Sequence, residues 1–176
     1  MELVAVGSTD LDRATRGRLR ALWDLAFDGR FGDDDESHAY GGVHVVAWSG
    51  RDLVAHASAV PRRIRFDRTW HGVGYVEAVA THPGHQGRGL GRAAMQRLQA
   101  EIAARWPVAM LSTGAATEFY ERLGWERWRG TSYTRSPAGT VADGEHDGLM
   151  ILRLDPALVP DLGVDVTCED RPGDAW

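Results

Sequence analysis

The stretch Gln86-Gly87-Arg88-Gly89-Leu90-Gly91-Arg92 constrains this chain more than any other. Before it lies an apolar, strand-like run ending at Ala80. After it, apolar residues recur at Leu90, Ala94, Leu98, Ile102 and Trp106, the spacing of an amphipathic helix. Glycines at alternate positions let the backbone turn sharply and aim successive N–H groups into one concavity. The start of the helix adds a partial positive charge, and Arg88 and Arg92 add full ones. A strand, a glycine turn and a helix in this order make a site for a phosphate or pyrophosphate. The spacing alone is common in a chain rich in Gly and Arg, so the flanking elements carry the argument. It is not a dinucleotide fingerprint, because no early βαβ unit surrounds it. All 20 basic residues are Arg, which excludes a Walker-type loop and Lys Schiff-base chemistry.

The rest of the chain reads as β-α-α-β-β-β-α-β-α-β-β. Residues 3–6 form a strand, and Ser8-Thr9-Asp10 offers caps for an amphipathic helix over 11–27. The acidic cluster Asp33-Asp34-Asp35-Glu36 opens a short second helix, where carboxylates suit the N-terminal dipole. Strands over 43–48, 53–66 and 70–80 are joined by turn-like links and form an antiparallel meander. A helix over 89–106 stops at Pro107. A strand over 108–111, a helix over 115–123 ended by Gly124, and strands over 126–134 and 149–154 follow. The tail from Asp155 shows no periodicity. A meander followed by a βαβ-type crossover predicts an α/β fold with a mixed sheet. The chain has 176 residues, 43% of them apolar, which suits one domain with its own core.

Composition excludes several functions. A formal charge of −5 argues against nucleic acid as the partner. The single Cys168 excludes a disulfide framework and a Cys-based zinc site. His82 and His85 have no further ligands at hand, so no metal is expected. No apolar run approaches the roughly 18 residues a membrane span needs, and no signal-peptide pattern opens the chain. A cytoplasmic protein without a membrane partner is expected.

The element order, Gln86-x-x-Gly89-x-Gly91 and Phe119-Tyr120-Glu121-Arg122-Leu123-Gly124-Trp125 resemble the GNAT superfamily of acetyl-CoA-dependent N-acetyltransferases, over about residues 43–134. A narrower resemblance runs nearly end to end. Tyr75-Val76-Glu77-Ala78-Val79-Ala80, Leu111-Ser112-Thr113, Gly124-Trp125 and the tail Arg171-Pro172-Gly173-Asp174-Ala175-Trp176 are similar to aminoglycoside 2′-N-acetyltransferases. The resemblance implies the GNAT fold: a strongly twisted mixed sheet flanked by helices, with splayed central strands that bind acetyl-CoA. It implies one domain over 1–176, with 155–176 closing the substrate cleft, and a homodimer.

The resemblance also assigns roles. Gln86, Gly87, Arg88, Gly89, Gly91 and Arg92 would hold the coenzyme A pyrophosphate. Backbone at Val79 and Thr81 would bond the thioester carbonyl and the pantetheine arm, as an oxyanion hole does. Tyr120 would protonate the leaving thiolate, and Glu77 would take the amine proton through water. Alternation puts Tyr75, Glu77 and Val79 on one strand face. An acid within so apolar a strand is costly to bury unless it is used or satisfied. Asp147, Asp174 and the C-terminal carboxylate of Trp176 would meet ammonium groups, with the indole against the sugar ring. Ser112 would add a hydrogen bond, and Asp35 would belong to a cation-binding lid. Arg30 departs from the family, standing where an acid is usual; it would attract a carboxylate, which makes kasugamycin a candidate substrate. The alternatives are another small amine or a protein N-terminus as acceptor, or a non-catalytic module that binds acyl-CoA or drug.

Overall fold

The computed structural model describes residues 1–143 and 148–176. The chain divides into two compact units, Met1–Val60 with Val76–Ala104, and Pro61–Tyr75 with Arg105–Trp176. The strands β3 (Asp52–Phe66) and β4 (Thr69–Thr81) each contribute to both. The fold is α/β with a mixed sheet, as the sequence predicts.

In the first unit, β1 (Glu2–Gly7) pairs antiparallel with β2 (Val43–Ser49), from Glu2↔Trp48 to Gly7↔Val43. β2 in turn pairs antiparallel with β3, from Val43↔Ala59 to Ser49↔Asp52. The helix α1 (Arg13–Ala26) is capped by Asp12, whose carboxylate accepts from the Thr15 N–H at 2.7 Å. The expected caps at Ser8–Asp10 form a 3-10 turn instead, and Ser8 goes inside. α1 buries Leu19, Leu22 and Trp23 against Phe31, Val46, Leu53 and Ala80. Each such apolar side chain contributes about 1.5–3 kcal/mol. The short helix α2 (Asp33–Ala39) forms where the acidic cluster predicts it. The helix α3 (Leu90–Ala103) packs against β1 and β2 and turns Ala94, Met95, Leu98 and Ile102 inward.

The second unit holds, in sheet order, β6 (Glu126–Arg127), β9 (Leu149–Arg153), β5 (Val108–Ser112), β4, β3, β10 (Val166–Glu169), β7 (Ser132–Ser136) and β8 (Gly139–Ala142). β5 (Val108–Ser112) runs antiparallel to β9 (Leu149–Arg153) and parallel to β4. The parallel register spans only Gly74↔Ala109 and Tyr75↔Met110, the splay expected at the centre of the sheet. Trp106 does not extend α3; its ring underlies Gly74, where a Cβ would sit 2.6 Å from the indole. The last predicted helix, over 115–123, shortens to α4 (Thr117–Glu121).

Three predicted stretches differ from the structure. Residues 126–134 are not one strand but β6 (Glu126–Arg127) and β7 (Ser132–Ser136). Between them the Arg129 and Gly130 N–H groups turn away to the Leu162 carbonyl, and a Cβ on Gly130 would lie 1.8 Å from the Val164 oxygen. The loop read after residue 134 contains β8 (Gly139–Ala142), a fully exposed strand with no apolar face to betray it. The tail contains β10 (Val166–Glu169), paired antiparallel to β3 and parallel to β7. Val166, Thr167 and Cys168 are all buried, so no period-two alternation marks the strand. Among the described residues, no helix is long and apolar enough to cross a membrane.

Candidate active site

The glycine segment lies in the first unit and is built on backbone conformation. Gly87 and Gly89 both take left-handed geometry, with φ of 73° and 76°. A Cβ on either would meet no atom, so glycine is required there by φ and not by space. Gly89 is the N-cap of α3, and no side chain caps it. The first helical bond runs from the Ala93 N–H to the Gly89 carbonyl, at 3.0 Å. The N–H groups of Leu90, Gly91 and Arg92 therefore have no partner within the helix. Arg88 and Arg92 are exposed beside them. The Gln86 amide donates to the Thr81 carbonyl at 3.4 Å and ties the turn back to the end of β4. Uncapped amides, left-handed glycines and two exposed cations fit a pyrophosphate.

Glu77 and Val79 lie upstream on β4, both half-buried. Between them Ala78 has φ of 51°, so the alternation expected through this strand is interrupted. The Ser58 hydroxyl donates to the Glu77 carbonyl at 3.1 Å, and His56 Nδ1 lies 2.8 Å from the Ala78 carbonyl. Sequence reasoning missed His56 and Ser58. A histidine and a serine in an apolar strand are weak signals until their partners are known.

The acidic helix of this unit is largely self-satisfied. Asp35 accepts from the Gly32 N–H at 2.7 Å and closes a capping interaction on its own helix. Arg20 reaches Asp24, Asp33 and Glu36 at 2.9, 3.1 and 2.9 Å. Arg30 projects into solvent, 82% exposed, 3.6 Å from Asp28.

In the second unit, Tyr120 is 7% exposed and stands edge-on to Phe119 and Trp125. Burial pushes its phenol well above the usual range, so it keeps its proton. Ser112 ends β5, half-buried. The C-terminus is docked. Trp176 is 5% exposed, and its indole N–H donates to Asp143 Oδ2 at 2.7 Å. Its backbone N–H donates to Asp174 Oδ1 at 3.0 Å. Arg171 donates to the Asp174 carbonyl at 2.8 Å and lies over the Tyr75 ring. Asp143 was missed; it also accepts from the Thr134 hydroxyl, and only tertiary structure brings it to Trp176. Asp147 lies outside the described residues. Among the described residues, no group of three His, Cys, Asp or Glu side chains could hold a metal ion.

Comparison with known proteins defines the class. Residues 11–128 match the acetyltransferase (GNAT) domain family. The chain belongs to this family, whose enzymes move an acetyl group from acetyl-CoA to an amine. It is 35% identical to the aminoglycoside 2′-N-acetyltransferase of Mycolicibacterium fortuitum, over 97% of this chain and 90% of that one. Its fold is similar to the GNAT family N-acetyltransferase YhbS of Escherichia coli, solved with CoA. The TM-score is 0.69 at 16% identity, covering 98% of this chain and 94% of that one. A probable N-acyltransferase of unknown function from Enterococcus faecalis is similar at a TM-score of 0.60 and 16% identity. There the match covers 74% of this chain but only 33% of the other, so this chain spans a third of that protein.

Proposed function

We propose that this enzyme acetylates the 2′-amine of an aminoglycoside, and that it works as a single domain and a homodimer in the cytoplasm. The carrying observation is the 35% identity to the Mycolicibacterium fortuitum enzyme over nearly the full length of both chains. Acetyl-CoA supplies the acetyl group as an activated thioester. The amides of Gln86 to Arg92 and the Arg88 and Arg92 charges hold its pyrophosphate. The backbone at Val79 polarises the carbonyl, and that at Thr81 receives the pantetheine arm. The Glu77 carboxylate takes the proton of the attacking amine through water. The buried phenol of Tyr120, still protonated at neutral pH, gives its proton to the departing thiolate. Asp35 and Asp174 meet ammonium groups of the drug, Ser112 donates a hydrogen bond, and Trp176 offers its ring and terminal carboxylate; Asp147, assigned the same role by resemblance, lies outside the described residues. Acetylation removes one positive charge and one strong donor from the drug.

A second reading within the same class is kasugamycin, which combines an amine with a carboxylate-bearing amidine. The observation favouring it is Arg30, a largely exposed guanidinium that repels a polyamine and attracts a carboxylate.

Thiol release from acetyl-CoA separates these readings. The panel holds gentamicin and tobramycin, with a 2′-amine, kanamycin A and amikacin, with a 2′-hydroxyl, and kasugamycin. Turnover on the first pair and not the second assigns the 2′ position. Turnover on kasugamycin alone assigns the narrower substrate. Silence across all five overturns the aminoglycoside reading and leaves the acetyltransferase. Tyr120→Phe lowers kcat by about 10²–10⁴-fold if the phenol is the acid. A loss under about threefold removes it from that role.

A further inference from the structure

The first unit carries a line of polar side chains through its core that the proposed chemistry does not use. Ser8, His44 and His56 are 8%, 0% and 0% exposed. The Ser8 hydroxyl lies 2.7 Å from His44 Nε2, His44 Nδ1 lies 3.0 Å from His56 Nε2, and His56 Nδ1 lies 2.8 Å from the Ala78 carbonyl.

The direction of these bonds follows from the ends. A carbonyl only accepts, so His56 Nδ1 carries the proton and its Nε2 has the lone pair. His44 Nδ1 then donates to that lone pair, and His44 Nε2 accepts from Ser8. At the other end the Gly41 and Gly42 N–H groups donate to Ser8 Oγ, at 2.9 and 3.1 Å, and the one hydroxyl proton has two acceptors in reach, the Gly42 carbonyl at 3.2 Å and His44 Nε2 at 2.7 Å, of which the nearer takes it. The Trp23 indole N–H also approaches His56 Nδ1, at 3.2 Å. One nitrogen cannot donate to a carbonyl and accept from an indole. The shorter contact, to an atom with no proton of its own, decides for the carbonyl. Burial holds both rings neutral, with His44 pushed down to about 4 and His56 to about 3. A line that ends on a carbonyl delivers no proton. What it can do is hold that carbonyl in place.

Ala78 is where holding is needed. An L-residue at φ of 51° in the middle of a strand is strained, and such geometry persists only where its surroundings impose it. Two side-chain donors converge on the flanking carbonyls, Ser58 on Glu77 and His56 on Ala78. We propose that His56 and Ser58, backed by His44 and Ser8, are positioning residues that lock the left-handed turn at Ala78 and so aim the Glu77 carboxylate and the Val79 backbone. The inference rests on the reading of Glu77 and Val79 given above.

Two variants at one position test it. His56→Asn keeps an N–H donor near Nδ1 but cannot reach His44. His56→Leu loses both bonds. The two share the cost of stranding His44, so they differ mainly in the bond to Ala78. At matched folded fraction, kcat of His56→Leu falls about tenfold below that of His56→Asn, while KM for acetyl-CoA stays within about twofold. Ala78→Gly in the His56→Leu background recovers most of the loss, because glycine holds the left-handed turn unaided. Equal kcat in the two variants, or no recovery with glycine, overturns the proposal. Hydrogen exchange of the peptide carrying residues 77–79 reads the lock without turnover. It is faster in His56→Leu than in His56→Asn, and equal exchange also overturns the proposal. If Glu77→Gln retains full turnover, the reading of Glu77 fails on its own, and the exchange comparison still decides the lock. Where His56→Leu does not fold, Ser58→Ala replaces it, with the same faster exchange expected at 77–79 and a smaller fall in kcat.

Discussion

Ala78 and Gly89 both take left-handed backbone, at φ of 51° and 76°, and each is followed by backbone assigned to the acetyl donor. They are held in opposite ways. Gly89 needs no support: it has no Cβ to strain, and nothing crowds the turn. Ala78, itself half-buried, is held by donors from a neighbouring strand, His56 and Ser58, whose own side chains are fully buried. The glycine turn stays open on one side and can adapt to a flexible diphosphate. The Ala78 turn is braced by packed, neutral rings, which suits groups that must meet a reacting carbonyl within a fraction of an ångström.

Acid should break the braced turn first. His44 and His56 stay neutral in the folded chain down to about 4 and about 3, whereas in the unfolded chain each takes up a proton below about 6.5. The folded state therefore binds fewer protons, and its stability falls as pH drops below 6.5. The loss is about 1.4 kcal/mol per pH unit for each histidine, or roughly 5 kcal/mol for the pair between pH 6.5 and 4.5. Urea unfolding at both pH values measures it. Replacing both histidines by Gln should remove most of the slope; an unchanged slope means the rings are not the cause.

A smaller effect is expected at the open turn. Gly89→Ala places a Cβ in left-handed geometry at a strain of roughly 1–2 kcal/mol. KM for acetyl-CoA should rise about tenfold with kcat nearly unchanged. A fall in kcat instead would mean that the two turns act on the same step. The smallest effect belongs to Ala78→Gly in the otherwise native chain. Relief of strain and the added chain entropy of glycine are of similar size, so stability should move by less than about 0.5 kcal/mol. A loss of 2 kcal/mol or more in thermal unfolding would show that the Ala78 methyl, packed against the cluster that includes Trp23 and Ala80, matters more than its backbone.

The order of the main elements could be read from spacing, because α1, α3 and the meander strands each bury one regular face. The motif Gln86 to Arg92 could also be read, since its chemistry resides in contiguous backbone. The supports of the site could not. His56 serves Ala78, and Trp176 serves Asp143, across gaps that no local period spans. β10 escaped notice because Val166, Thr167 and Cys168 are buried on both faces, which removes the alternation that marks a half-buried strand. Nor do the residues around Arg30 tell that it stands exposed beside Asp28.

The amino-acid order alone determined where the chain turns and which stretches bury a face, because glycine freedom, proline stops and apolar period act over a few residues. It determined the left-handed glycine turn ahead of α3 for the same reason. The tertiary structure alone decided the left-handed turn at Ala78, since alanine avoids that geometry unless partners distant in sequence hold it there. It also decided that the last tryptophan is docked rather than frayed: its indole N–H donates to Asp143, a partner far away in sequence that no local pattern names.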